Sequence, residues 1–134
     1  MDAIPGGLMS PSRGGFTVHY RDSVVTARRT LLAVAILFSV GEALDSISVG
    51  VVGIVFALLF AVGAVLMYRG SRFGVPLVGV LVLLEVAAWP TFTRDTATDW
   101  IIQIPFLIVG LVGLAALGVI VFRGMRTRRA RSAT

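Results

Sequence analysis

The sequence lacks cysteine and lysine, and its single histidine is His19, near the N-terminal end. The absence of cysteine excludes disulfide bonds, thiolate metal sites and thiol redox chemistry. With one histidine outside the apolar segments, neither haem ligation within a bundle nor a histidine-based metal site is supported. The sequence also has no nucleophile motif, phosphate-binding glycine loop with lysine or Ser/His/acid set outside its terminal segments. We therefore expect neither enzymatic activity nor a cofactor.

Charged residues are also scarce. They make up 14% of the 134 residues, whereas hydrophobic residues make up 57%, and the mean hydropathy is +0.94. A soluble domain carries about a quarter charged residues, so this chain has too few to cover a water-facing surface. The composition therefore excludes a soluble globular protein. All 12 basic residues are arginine, and this bias, with abundant Ala, Val and Gly, is typical of a GC-rich bacterial genome.

Four apolar segments separated by short polar stretches predict four transmembrane helices. Residues 31–68 contain only Glu42 and Asp45 as charged residues. A single helix of that length would reach about 57 Å, whereas a hydrocarbon core is about 30 Å thick. We expect the chain to fold back at 45–50, where short polar side chains and a glycine favour a turn. The predicted helices cover about 30–46, 49–68, 75–92 and 100–122. The expected fold is an all-α membrane protein with an up-down four-helix bundle.

The segments outside these spans are polar or basic, and we expect them to be disordered tails, the first of which could end in a short helical turn from Ser23. Residues 1–29 contain several Pro and Gly residues and no sustained apolar period, and residues 123–134 hold the densest run of charge. At the start of the fourth span, Asp99 is the predicted N-cap residue. Pro105 lies close enough to that start to bend the helix without breaking it.

The distribution of arginine predicts the orientation, because positively charged loops are retained in the cytoplasm. Eleven arginines lie in the two terminal segments and in the loop around Gly70, and only Arg94 lies on the opposite side. We therefore expect both termini on the cytoplasmic side of a bacterial inner membrane, which requires an even number of spans. Trp89, Trp100 and Tyr68 lie at the predicted membrane boundaries, where amphipathic aromatic rings are enriched.

The pair Arg28-Arg29, followed by apolar residues, also allows a twin-arginine export signal. No small-residue cleavage site follows it cleanly, and Glu42 interrupts the region where one would lie. Membrane helix rather than an exported domain comes next. We therefore interpret the pair as a basic anchor of the first span.

Small residues at helical spacing predict where the spans pack, because they allow backbones to approach closely in lipid. One such stripe lies in the second span and a shorter one in the fourth: Gly53, Ala57, Ala61 and Ala64, then Gly110 and Gly113. We interpret these stripes as packing seams, with a dimer face as the alternative. In the first span, one polar face is expected to point into the bundle. It contains Ala35, Ser39, Glu42 and Ser46.

Three carboxylates lie in or at the edge of the spans, with no basic residue at their depth: Glu42, Asp45 and Glu85. Ionisable residues inside a membrane are rare and often mark ion or proton pathways. One hypothesis is that these three residues, with Gln103, form a proton- or cation-binding site that opens outward. A structural alternative places Asp45 in interfacial water with Glu42 snorkelling beside it. Glu85 then forms a protonated hydrogen-bonding partner between helices. A third hypothesis is that these carboxylates contact a partner subunit.

The basic run at the C-terminus consists of Arg123, Arg126, Arg128, Arg129 and Arg131. Such a run most often acts as a topology signal. Near an anionic leaflet each arginine adds about 1 kcal/mol of attraction to lipid headgroups, so we expect contact with anionic lipid. Nucleic-acid binding fits poorly, because no folded domain or aromatic platform accompanies the run.

The sequence alone favours an accessory or assembly subunit of a larger membrane complex, or a homo-oligomer, that acts through helix contacts. A small proton- or cation-coupled transporter that uses the intramembrane carboxylates is the alternative. The lipid bilayer is the one partner that both functions share. No motif assigns the sequence to a known family.

The predicted orientation can be tested with single-cysteine variants, since the chain has no cysteine of its own. A cysteine near Thr96 is expected to react with a membrane-impermeant thiol reagent added to intact cells. A cysteine near Gly70 is expected to react only after lysis, because its loop is predicted to be cytoplasmic. Labelling near Gly70 in intact cells, with no labelling near Thr96, would reverse the orientation.

Overall fold

The computed structural model describes residues 15–92 and 94–131, and this part of the chain contains helices and no strand. The helices are α1 (Gly15–Val49), α2 (Val51–Tyr68), α3 (Gly74–Ala88) and α4 (Ala97–Arg131), with one 3₁₀ turn at Trp89–Thr91. The predicted all-α class is confirmed. Four segments are long and apolar enough to span a membrane: Asp22–Ile47, Val51–Tyr68, Gly74–Thr91 and Ala97–Arg126. The chain thus has the helices of a multi-pass membrane protein.

Glycines form the two tight turns that join α1 to α2 and α2 to α3. Gly50 has a φ of 73° and Gly70 a φ of 76°, a conformation that only glycine adopts without steric cost. The Gly50 N–H donates to the Ser46 carbonyl at 2.9 Å, and the Gly70 N–H donates to the Met67 carbonyl at 3.1 Å. The first of these turns lies within the segment 45–50 predicted to fold back.

At their polar ends, α1 and α4 extend beyond the predicted spans. Residues 15–29 and 123–131 are helical, which corrects the expectation of disordered tails at these positions. Residues 1–14 and 132–134 of the predicted tails lie outside the described residues. The correction has a physical reason. A helix that has already formed in an apolar span propagates into polar sequence, because each further residue adds a hydrogen bond without the cost of nucleation.

A reciprocal pair of hydrogen bonds fixes the start of α4. The Thr96 N–H donates to Asp99 Oδ2 at 2.9 Å, and the Asp99 N–H donates to Thr96 Oγ1 at 3.3 Å. This is the geometry of a capping box, with Thr96 as the N-cap residue and Asp99 as the third helical residue. The expectation that Asp99 is itself the N-cap is therefore wrong, because its carboxylate reaches back from within the first turn. The helix continues through Pro105.

The helices pack around one core in which an aromatic cluster joins α1, α2 and α4. Phe38 stacks on Phe60 with ring centroids 5.0 Å apart, and Phe106 is tilted against Phe38 at 5.6 Å. Phe38 is 2% exposed and Phe60 is fully buried. α3 completes the core through contacts with α2 and α4, and its Val78 and Val82 are fully buried.

The predicted seam residues of α2 face α1 at several points. A Cβ added to Gly53 would lie 3.0 Å from the Ser46 Cα atom. Ala57 is buried, and its carbonyl accepts a hydrogen bond from the Ser39 hydroxyl at 2.9 Å. Ala64 is buried and Ala61 is half-buried.

The polar face predicted on α1 is only partly buried. Ala35 is fully buried, and Ser39, Glu42 and Ser46 are half-buried. The face therefore lies along the boundary of the core, where α1 meets its neighbours.

On α4, the predicted seam residues allow close contact with α1 and α3. A Cβ added to Gly113 would lie 2.9 Å from Val34 Cγ1 and 3.1 Å from Val82 Cγ1. A Cβ on Gly110 would lie 2.6 Å from Val86 Cγ2. All three distances are shorter than ordinary van der Waals contact, so replacing either glycine requires the valine side chains or the helices to shift.

Gly113→Val is expected to destabilise the protein by about 1–3 kcal/mol, because the added side chain overpacks the contact with Val34 and Val82. Gly118→Val is the matched control on the same helix, since a Cβ at Gly118 has nothing within 4 Å. The melting temperatures of both variants are measured by thermal unfolding in detergent. Equal melting temperatures for the two would show that Gly113 does not lie at a tight helix contact.

Candidate functional site

A cavity of about 80 Å³ lies between α1, α3 and α4. All four polar residues of the predicted site line it: Glu42, Asp45, Glu85 and Gln103. Four aromatic side chains also contribute to its wall: Phe38, Trp89, Phe92 and Phe106. We call it the acidic cavity. The structure thus brings together residues that come from three separate helices.

Helical spacing explains how α1 contributes to the acidic cavity. Phe38, Glu42 and Asp45 are four and three residues apart, so they lie on one face of the helix. Phe38 anchors this face in the core against Phe60 and Phe106. Glu42, one turn further along, is thereby directed towards α3 and α4.

The three carboxylates differ in exposure but have no compensating partner in the described part of the chain. Glu42 and Glu85 are half-buried, whereas Asp45 is exposed. Glu42 interacts electrostatically with both other carboxylates. Among the described residues, none of the three accepts a hydrogen bond or forms an ion pair. Like charges that are partly removed from water repel each other unless a proton or a cation neutralises one of them.

The carboxylates share the acidic cavity without converging on one point. Within residues 15–92 and 94–131, no group of three acidic or histidine side chains could hold a metal ion. The cavity has room for about three water molecules. The arrangement therefore suits a proton or a small monovalent cation better than a multiply coordinated metal.

A second cluster consists of Trp89 and Arg94 from the connection between α3 and α4 and of Trp100 near the start of α4. The Arg94 guanidinium carbon lies 3.6 Å from the Trp89 ring centroid and 5.1 Å from that of Trp100. Arg94 also donates a hydrogen bond to the Trp89 carbonyl. The two indole rings meet nearly edge to face, with centroids 6.4 Å apart. Because Trp89 also lines the acidic cavity, this tryptophan–arginine cluster supports part of the cavity wall.

Comparison with protein-family models, with curated proteins and with solved structures finds no match for this chain.

The C-terminal arginines predicted to contact lipid lie in different environments. Arg123 donates a hydrogen bond to the Ser23 hydroxyl of α1, so it is held against the bundle. Arg126 packs over the Phe122 ring at 4.5 Å, and Arg129 is exposed. The side chains of the remaining two lie outside the described residues: Arg128 and Arg131. Lipid contact by this run stays a prediction.

Arg94→Gln is expected to shift the tryptophan emission spectrum and to increase quenching by acrylamide, because both rings lose the guanidinium that covers them. The cation–π contacts involved are worth about 0.5–2 kcal/mol. Both tryptophans of the chain belong to this cluster, so the signal has one source. Asp95→Asn, at an exposed neighbouring position, is the control. An unchanged spectrum in Arg94→Gln would contradict the cluster.

Proposed function

We propose that the four helices cross a bacterial inner membrane in an up-down order, with both termini in the cytoplasm. Two contacts support this arrangement. Arg28 of α1 donates to the Met67 carbonyl near the end of α2 at 3.1 Å, and Arg123 of α4 donates to Ser23 of α1. These contacts bring Arg28 and Arg123 to the end of the bundle at which α2 ends, as expected for arginine-rich segments retained on the cytoplasmic side. The loop with Arg94 then faces outward.

We propose further that the protein is a small proton- or cation-coupled transporter whose binding site is the acidic cavity. The observation that carries this proposal is that Glu42, Asp45, Glu85 and Gln103 line one cavity. The sequence alone favours an accessory subunit. The shared cavity reverses that order, because separate structural roles for Glu42 and Glu85 do not require the two side chains to line one cavity.

The chemistry of the acidic cavity supports binding of a positive charge. None of the described residues that line it is basic, so its negative charge has to be compensated by a proton or by a bound cation. Its volume of about 80 Å³ is sufficient for a small cation. Asp45 is exposed and lies at the outer edge of the spans. It can bind the proton or cation between bulk water and the half-buried Glu42 and Glu85.

Glu42→Gln combined with Glu85→Gln is expected to abolish pH-dependent flux in liposomes that contain the purified protein and a pH-sensitive dye. Glutamine keeps the size and hydrogen-bonding capacity of glutamate but cannot carry the negative charge. The double variant is expected to remain membrane-inserted. Asp22→Asn is the control, because Asp22 is exposed and does not line the acidic cavity.

Two results would contradict the transporter. If the reconstituted wild-type protein shows neither flux nor pH-sensitive cation binding, the protein is not a transporter of this kind. If the double variant has the flux of the wild type, transport occurs but the acidic cavity is not its site.

An accessory or assembly subunit is the second candidate, and a groove of about 730 Å³ between α1 and α4 favours it. Small side chains dominate its apolar lining: Ala27, Ala115 and Ala116. Such residues let another membrane helix approach closely. Gentle detergent extraction followed by mass measurement distinguishes the candidates. A stoichiometric partner or a homo-oligomer supports the accessory subunit, whereas an isolated monomer that binds cations supports the transporter.

A further inference from the structure

α1 and α2 form a second groove on the outside of the bundle, separate from the acidic cavity. Its apolar part has a volume of about 330 Å³ and is lined by Leu32, Ile36 and Val40 from α1 and by Ala61 and Val65 from α2. The side chains from each helix recur every four residues, so each set lies on one face. We call this surface the α1–α2 groove.

At one end, the α1–α2 groove becomes basic. A further volume of about 220 Å³ shares Leu32 and Tyr68 with the apolar part and is lined by Arg28 and Arg29. None of the described residues that line either part is acidic. The groove therefore leads from aliphatic side chains to two guanidinium groups whose charge no lining carboxylate cancels.

The length of the α1–α2 groove matches one leaflet of a bilayer. Arg28 and Val40 are twelve residues apart, which corresponds to about 18 Å along a helix. Half of a hydrocarbon core measures about 15 Å. Tyr68 lies where the apolar and basic parts meet and is 84% exposed, as is typical of an interfacial aromatic residue.

The two arginines have different roles at the basic end. Arg28 donates to the Met67 carbonyl at 3.1 Å, which holds its guanidinium against the end of α2. Arg29 is exposed and, within the described part of the chain, forms no hydrogen bond or ion pair. Guanidinium groups bind phosphate oxygens through paired charge-assisted hydrogen bonds. Arg29 is thus available to bind a phosphate group at the membrane surface.

We propose that the α1–α2 groove binds one anionic phospholipid. One acyl chain lies along Leu32, Ile36 and Val40, and the phosphate binds Arg28 and Arg29. Basic pockets between membrane helices bind anionic lipid headgroups in this way. The proposal requires the chain to lie in a membrane, but it does not depend on transport by the acidic cavity or on a partner subunit.

The test is a titration of delipidated protein in detergent with dioleoyl phosphatidylglycerol or dioleoyl phosphatidylcholine, followed by native mass spectrometry. One phosphatidylglycerol is expected to bind at a lower concentration than phosphatidylcholine. Arg29→Gln is expected to weaken phosphatidylglycerol binding about fivefold and to leave phosphatidylcholine binding unchanged. Arg72→Gln removes the same charge at an exposed loop position outside the groove and is expected to have no effect on either lipid.

A second variant tests the apolar part of the groove. Ala61→Phe is expected to abolish the tightly bound lipid by filling the space for its acyl chain, and a thermal melt checks that the variant folds. If it does not fold, the comparison of Arg29→Gln with Arg72→Gln decides alone. The proposal is overturned if the two arginine variants lose phosphatidylglycerol binding equally. It is also overturned if folded Ala61→Phe still binds the lipid. Displacement of the lipid by glycerol phosphate, which has no acyl chain, would overturn it as well.

Discussion

Every backbone N–H and carbonyl group inside hydrocarbon needs a hydrogen-bond partner from the protein, because lipid offers none and each unpaired group costs several kcal/mol. This requirement makes the apolar segments helical and confines reversals of the chain to their ends. The described turns satisfy it with few residues. Gly50 and Gly70 adopt positive φ angles and donate back to the Ser46 and Met67 carbonyls. The connection before α4 satisfies it with Thr96 and Asp99.

Once the helices have formed, their packing determines which polar side chains meet. Between helices in lipid there is no hydrophobic driving force, so close van der Waals contact has to supply the stability. The Phe38 ring is held between Phe60 and Phe106, which sets the rotation of α1 about its axis. A Cβ at Gly41 would collide with the Phe106 ring, so α4 approaches α1 closely at this level. These contacts place Glu42 in the wall of the acidic cavity.

The sequence predicts properties of single helices better than relations between them. The lengths of the apolar runs locate the four spans, and the rarity of intramembrane acids singles out Glu42 and Glu85, which line one cavity. Polarity alone misses the helical extensions of α1 and α4, because propagation depends on a helix already formed nearby. The packing of Arg94 on the tryptophans and the groove at Arg28 and Arg29 could not be predicted. Both depend on loop conformation and helix rotation, which periodicity does not specify.

The tryptophan–arginine cluster bears directly on the charge of the acidic cavity. Arg94 is the one arginine between α3 and α4, and it is the cation that could most simply neutralise Glu85. In the structure its guanidinium instead lies over the Trp89 and Trp100 rings and donates to the Trp89 carbonyl. The rings therefore hold the Arg94 guanidinium beside Trp89 of the cavity wall, and Arg94 is not among the described lining residues. Because Arg94 does not line the cavity, the proposed transporter keeps carboxylates there that no lining arginine neutralises, which is the condition for attracting a mobile cation.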